Sequence, residues 1–421
     1  MNGIIKNSRN TGYAPESSVS TQTVAFSHYN NISAQLPVDP KTGAIVKGGV
    51  KKQTAQCLEN IKAIIESINH TMTDVVRINV YMKNIMDIDS IDEVYSSFFP
   101  GYFPTRTALA VAALPMEGAL VQIDAVITNG EGSGTQTPCD LVKLVRNTEG
   151  APVSSVSAHS VAFSHYNHIS AQLPVDPKTG NIVVGGAKEQ TIQCLKNIKT
   201  IMEGVDVPFD DIVKINIHVQ SLDDIEAVNE AYTTFFPDSS IARTVGYMPA
   251  RSVVAASGLP MNARVQIDAT VSHGDGTPPQ AVEDRHGLVI KANNTDAAPK
   301  SPLSTQTVAF SHYNNVSAQL PIDAATGTVV AGGAKVQAAQ CLNNIQAIVE
   351  SIGHEMDDIV KINIQLKDIT DLDAVNEIYP TFFKGDMPAR TVIGVTEIPM
   401  GALVQIDAIL SNGEGTPPEV R

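Results

Sequence analysis

The chain has 421 residues, 43% of them hydrophobic and 17% charged, with a formal net charge of −15. At roughly 100–200 residues per domain this length predicts about three domains of ordinary globular composition. The acidic balance speaks against a nucleic-acid partner, which would want basic patches, and no apolar run reaches the about 20 residues of a membrane-spanning helix.

Residues 1–20 are polar and lack the apolar core of a signal peptide. Residues 23–27 and 32–36 flank the polar string His28-Tyr29-Asn30-Asn31, which reads as a hairpin around a turn. In 50–68, apolar residues at 57, 58, 61, 64, 65 and 68 follow the spacing of an amphipathic helix. Residues 75–82 alternate as a strand does, and 88–99 read as a second helix. Two last strands, 105–112 and 120–128, are joined through Leu114-Pro115. The order ββαβαββ predicts an α+β domain with helices on one face of a sheet. Its other face must be buried, because a broad exposed apolar sheet is an association surface.

The same module is written three times. Val-Ala-Phe-Ser-His-Tyr-Asn begins at Val24, Val161 and Val308, each time followed by a Ser-Ala-Gln-Leu-Pro block. Self-similarity at a domain-sized period means tandem homologous domains. An earlier motif, Asn10-Thr11-x-x-Ala14-Pro15, recurs at Asn147 and Asn294, so the apparent linkers are mostly first segments of the next module. The remaining connectors, 130–139 and 273–285, are short tethers. Domains of 1–138, 139–283 and 284–421 follow.

Three of the four cysteines, Cys57, Cys194 and Cys341, occupy one repeat position on the apolar stripe of the helix and read as small core residues. With Cys139 they form no metal-ligand spacing, and one cysteine per module cannot make a disulfide within it; a reduced, cytoplasmic setting is expected. No phosphate loop, zinc motif or Ser-His-Asp spacing is present, so neither cofactor nor metal is expected.

The hairpin, the helix motif Gln-x-x-x-x-x-Asn-Ile, the strand Asp-Ile-Val-Lys-Ile-Asn-Ile and the block Met-Pro-Ala-Arg-Thr-Val-Ile together resemble the Rid/YjgF family of imine and enamine deaminases. The resemblance covers nearly all of each module. It implies a chorismate-mutase-like fold and a trimer with sites between neighbouring subunits. Here that means a single-chain pseudo-trimer, monomeric as a chain, acting on a small carboxylate.

Arg106, Arg251 and Arg390 stand in Pro-x-Arg-[Thr/Ser] in every repeat and match the family arginine that grips the substrate carboxylate. A guanidinium suits this, because its fork of donors pairs with a planar anion; a structural ion pair is the plainer alternative. Ser33, Ser170 and Ser317 match a family serine that orients substrate or water, or else they bond backbone at a strand end. Asn229 and Asn376 match a family asparagine on the second helix, where Asp92 stands in repeat 1; a cap or surface role competes. The family's water-positioning glutamate aligns with Gln122, Gln266 and Gln405, which orient water but accept no proton at neutral pH. Two residues on, Asp124, Asp268 and Asp407 share that face of the strand and read first as partners of a basic group. Ser20, Ser157 and Ser304 replace a family tyrosine, followed by Gln22 and Gln306 in repeats 1 and 3. His28, His165 and His312 recur beside tyrosine, with a pKa suited to acid–base work, but their place in a turn favours a structural role.

Three functions are open at this point: hydrolytic deamination of a 2-imino or enamine acid, binding of a small carboxylate without turnover, or an interaction or holdase role. Repeat 1 departs most around its site, through Asp92 and an extra residue in Pro115-Met116-Glu117-Gly118. Its site is expected to be weak or altered.

Overall fold

In the computed structural model, residues 5–129, 142–236, 247–273, 277 and 290–412 are described. The expected domain boundaries at 138 and 283 fall outside them, as does Cys139.

Each repeat is one six-stranded sheet backed by two helices. In repeat 1 the strands lie in the order Asn7–Arg9, Thr23–Phe26, Tyr29–Gln35, Val121–Thr128, Val75–Met82, Thr105–Ala110. All neighbours are antiparallel except Val75–Met82 with Thr105–Ala110, which run parallel and are joined by the crossover helix Ile88–Ser97. Repeats 2 and 3 reproduce this order.

The helix Val50–Ser67 buries Cys57, Leu58, Ile61, Ile64 and Ile65 against Ile32, Ile123 and Ala125 of the sheet. Each copy of this helix starts after a Gly-Gly pair. Gly48 has φ +121°, and a Cβ there would stand 2.5 Å from the Lys52 side chain. Glycine alone tolerates that turn into the helix.

The hairpin differs from its sequence reading. The strands are Thr23–Phe26 and Tyr29–Gln35, closed by a two-residue turn, Ser27-His28, with Ser27 at φ +48°. Tyr29, Asn30 and Asn31 therefore belong to the strand. A further short strand, Asn7–Arg9, pairs with Thr23–Phe26 ahead of the elements read from the sequence.

The second faces of the three sheets meet. Val24, Phe26 and Tyr29 form one apolar cluster with Val161, Phe163 and Tyr166 and with Val308, Phe310 and Tyr313. The contacts run in a closed cycle. Tyr29 donates to the Phe163 carbonyl, Tyr166 to that of Phe310 and Tyr313 to that of Phe26. His28, His165 and His312 pack edge-on against Phe163, Phe310 and Phe26 respectively, a structural role. At the other end, Ala110 N–H bonds the Gly258 carbonyl at 2.9 Å, Gly394 N–H that of Ala113 at 2.8 Å and Thr396 N–H that of Ala255 at 3.2 Å. The free sheet faces anticipated from the sequence are thus buried on one another.

Candidate functional site

The three arginines lie where repeats meet. Each is the second residue of an edge strand, and its backbone N–H donates to a serine of the next repeat. Arg106 bonds Ser170 Oγ, Arg251 bonds Ser317 Oγ and Arg390 bonds Ser33 Oγ, all at 2.9 Å. Each hydroxyl in turn donates to a backbone carbonyl of its own repeat, from Ser33 to Thr21, Ser170 to Ala158 and Ser317 to Thr305. With its proton donated and one lone pair taken, the hydroxyl is a staple between repeats.

The side chains are almost wholly buried, at 6%, 7% and 6% exposure for Arg106, Arg251 and Arg390. Each guanidinium stacks on a tyrosine at the end of the second helix, Tyr95 and Tyr232 in its last turns and Tyr379 directly after it: the distances from ring centroid to Cζ are 4.7, 4.6 and 4.6 Å. Three residues before each tyrosine, on the same helix face, stand Asp92, Asn229 and Asn376. Asp92 forms an ion pair with Arg106 Nη2 at 2.5 Å. Asn229 Oδ1 accepts from Arg251 Nη2 at 2.6 Å. Asn376 Oδ1 and Arg390 Nη2 both lack a hydrogen-bond partner among the described residues. The cap or surface role weighed for this position is therefore corrected: in repeats 1 and 2 the residue clamps the guanidinium. Burial pushes the Arg251 and Arg390 pKa values down, opposed by Tyr232 and Tyr379.

Gln122 and Gln405 reach two of these boundaries from the neighbouring repeat. Gln122 donates to the Val392 carbonyl at 3.2 Å, and Gln405 to that of Val253 at 2.9 Å. These carbonyls lie two residues beyond Arg390 and Arg251. The Oε1 atoms of Gln122 and Gln266 are buried without a partner among the described residues. Among the described residues, arginine Nε is likewise unpaired in all three repeats. Buried polar atoms are normally satisfied, and a buried cation is costly unless an anion answers it. The boundary at Arg390 is the least satisfied of the three, since its Nη2 is also unpaired.

The aspartates share the sheet face of the glutamines and lie deeper: Asp124 accepts from Thr391 at 2.5 Å and Asp268 from Thr107 at 3.1 Å, the residues that follow Arg390 and Arg106. Where the three sheets converge, a cavity of about 100 Å³ is lined by Arg77, Lys214 and Lys361 together with Asp124, Asp407 and His168. Each cation answers the carboxylate of another repeat. Arg77 pairs with Asp268 at 2.7 Å, Lys214 with Asp407 at 3.5 Å and Lys361 with Asp124 at 3.5 Å. Burial raises the Asp268 pKa, but Arg77 and His218 outweigh it and hold the carboxyl well below the usual range. Burial pushes Lys214 and Lys361 down, against Asp407 and Asp124. This network joins repeats; the boundary arginines are not among its lining.

Gln22 and Gln306 are also structural. Gln22 accepts from Thr11 N–H at 2.6 Å and donates to the Ala14 and Pro15 carbonyls, clamping the first segment. His159 does the same in repeat 2, accepting from Thr148 N–H at 2.8 Å. No group of three or more His, Cys, Asp or Glu able to hold a metal occurs among the described residues, and no helix there is long and apolar enough to cross a membrane.

Sequence reasoning missed the stacking tyrosines and the central cations. The signal was available in both cases: Tyr95, Tyr232 and Tyr379 recur three residues after the Asp/Asn position, and Arg77, Lys214 and Lys361 recur at one position of the same strand, two before a shared asparagine.

Three α+β modules with a buried arginine at each contact define the class. The family model described as Endoribonuclease L-PSP matches three times, at residues 14–129, 150–273 and 295–411, and the chain belongs to this Rid/YjgF family. A RutC family protein of Pyrococcus horikoshii is 42% identical over 106 residues, covering 25% of this chain and 83% of its own length. The 2-iminobutanoate/2-iminopropanoate deaminase of Rattus norvegicus is 35% identical over 130 residues, 31% of this chain and 95% of its own. The crystal structure of RidA from an Antarctic Psychrobacter is 34% identical and covers 29% of this chain and 98% of its own, with a TM-score of 0.28.

Proposed function

We propose that the chain is a single-chain counterpart of a Rid trimer, and that it hydrolyses small 2-imino acids at the boundaries between its repeats. The cyclic contacts support the trimer-like reading. The observation that carries the site is Arg390: a buried guanidinium on the Tyr379 ring, with Nε and Nη2 unpaired among the described residues, on a strand that meets repeat 1 through its backbone, the Arg390 N–H bonding Ser33 Oγ and the Val392 carbonyl accepting from Gln122. Such a cation suits a carboxylate, which it can hold with two parallel bonds.

In the reaction, water oxygen bonds to the C=N carbon and its proton passes to the imine nitrogen. The C–N bond of that adduct then breaks, and the hydroxyl proton leaves with the nitrogen as ammonia, giving the 2-oxo acid. The arginine fixes the substrate. Gln122, Gln266 and Gln405 orient the water through Oε1, and proton transfer stays between water and substrate, since an amide accepts no proton at neutral pH. The assay is ammonia release from freshly generated 2-iminobutanoate, the substrate in the rat relative's name. The combined Arg106→Ala, Arg251→Ala, Arg390→Ala variant is expected to fall to the uncatalysed rate. Wild-type turnover in that variant would refute the reading.

One observation favours a second reading: all three repeats carry glutamine where the family resemblance implies glutamate. A boundary that binds carboxylate without turning it over would show thermal stabilisation by 2-oxobutanoate and no ammonia release.

A further inference from the structure

The three boundaries are not equivalent, and the difference lies in one side chain. We infer that Asp92 occupies the carboxylate subsite of the boundary between repeats 1 and 2, so that the chain accepts carboxylate ligands at two boundaries and excludes them from the third. This rests on the proposed binding role of the arginines.

The argument is a comparison within one molecule. Arg106, Arg251 and Arg390 share the same strand position, the same backbone staple and the same tyrosine platform. Against the guanidinium itself, the contact that changes is the one made by the residue three before the tyrosine. Asp92 Oδ1 sits 2.5 Å from Arg106 Nη2, as a bound carboxylate would. An incoming carboxylate must either displace it or place two anions on one guanidinium, and like charges at such range repel strongly. Asn229 holds the equivalent nitrogen of Arg251 at 2.6 Å with an uncharged oxygen, so the cationic charge stays uncompensated. Asn376 Oδ1 makes no such bond among the described residues, where Arg390 Nη2 is unpaired as well as Nε. The boundaries thus form a series: neutralised, held by a neutral oxygen, and open.

Isothermal titration of the full chain with 2-oxobutanoate tests this through stoichiometry. Wild type is expected to bind two equivalents, Asp92→Asn three, and Asn229→Asp one. Circular dichroism establishes that each variant is folded; Asp92→Asn installs the residue type the other repeats carry, so it decides the question even where Asn229→Asp unfolds. Three equivalents in wild type, or two in folded Asp92→Asn, overturns the inference while leaving the carboxylate reading intact. No binding by either protein overturns the carboxylate reading itself.

Discussion

His168 is the sharpest point at which the centre of the molecule meets solution conditions. It replaces the asparagine found at the same position in the other repeats, Asn31 and Asn315. Its ring lies edge-on to Tyr29 at 5.6 Å, and neither ring nitrogen has a partner among the described residues. Burial pushes its pKa down to about 3; Arg77 adds to the effect and Asp268 opposes it. An unfolded histidine titrates near 6.5. The folded pKa lies below the unfolded one, so the unfolded chain binds the extra proton first, and stability is lost as pH falls from about 6.5 toward about 3. At pH 5 the interval already crossed is about 1.5 units, which at 1.36 kcal/mol per unit is about 2 kcal/mol. The assay is urea unfolding of wild type and His168→Asn at pH 8 and pH 5. Other acid-sensitive groups contribute equally to both proteins. Wild type is expected to lose about 2 kcal/mol more than the variant between the two pH values. Equal losses would show that the imidazole is protonated in the folded state or reaches water, and would refute the burial argument.

Two further outcomes follow from the same contacts. Tyr29→Phe keeps the ring in its cluster but removes the hydroxyl bond to the Phe163 carbonyl; a loss of about 1–2 kcal/mol in denaturant unfolding is expected, and an unchanged midpoint would contradict a stabilising bond between repeats. Cys57, Cys194 and Cys341 are fully buried with thiol pKa values pushed up by burial. In a Cys139→Ser background they should not react with a thiol reagent such as DTNB until denaturant is added; rapid labelling of the folded protein would count against their core placement.

The strands and helices were legible because each repeat states them again, and because the helix 50–67 and the strand Val75–Met82 carry unbroken periodicity. The hairpin turn was misplaced for a physical reason. Asn30 and Asn31 are polar and read as loop, yet both are buried in the strand, where Asn30 Nδ2 reaches Asn129 Oδ1 at 2.7 Å, a partner 99 residues away. Polarity marks a turn only when water is the available partner. The arginines could be singled out by their motif, but not their surroundings, because the serine staple and the glutamine come from another repeat. The partners of the central cations were hidden in the same way: nothing in the strand around Arg77 indicates Asp268.

This reliance on partners from other repeats also bears on why three modules share one chain. In a trimer of identical subunits, every position near the centre must suit three copies of itself. Here Arg77 stands where repeats 2 and 3 have Lys214 and Lys361, and His218 where repeats 1 and 3 have Tyr81 and Gln365. These departures are matched rather than scattered. Arg77 and His218 meet on the same carboxylate, Asp268, at 2.7 and 2.9 Å, while the two lysines stand 3.5 Å from theirs. Such an arrangement requires repeat 1 to face repeat 2 in one fixed order, which covalent linkage supplies by making docking intramolecular. The same freedom places Asp92 at one boundary and asparagine at the other two. Divergence at the centre and divergence at the boundaries thus have one physical origin, the release of each copy from having to pair with itself.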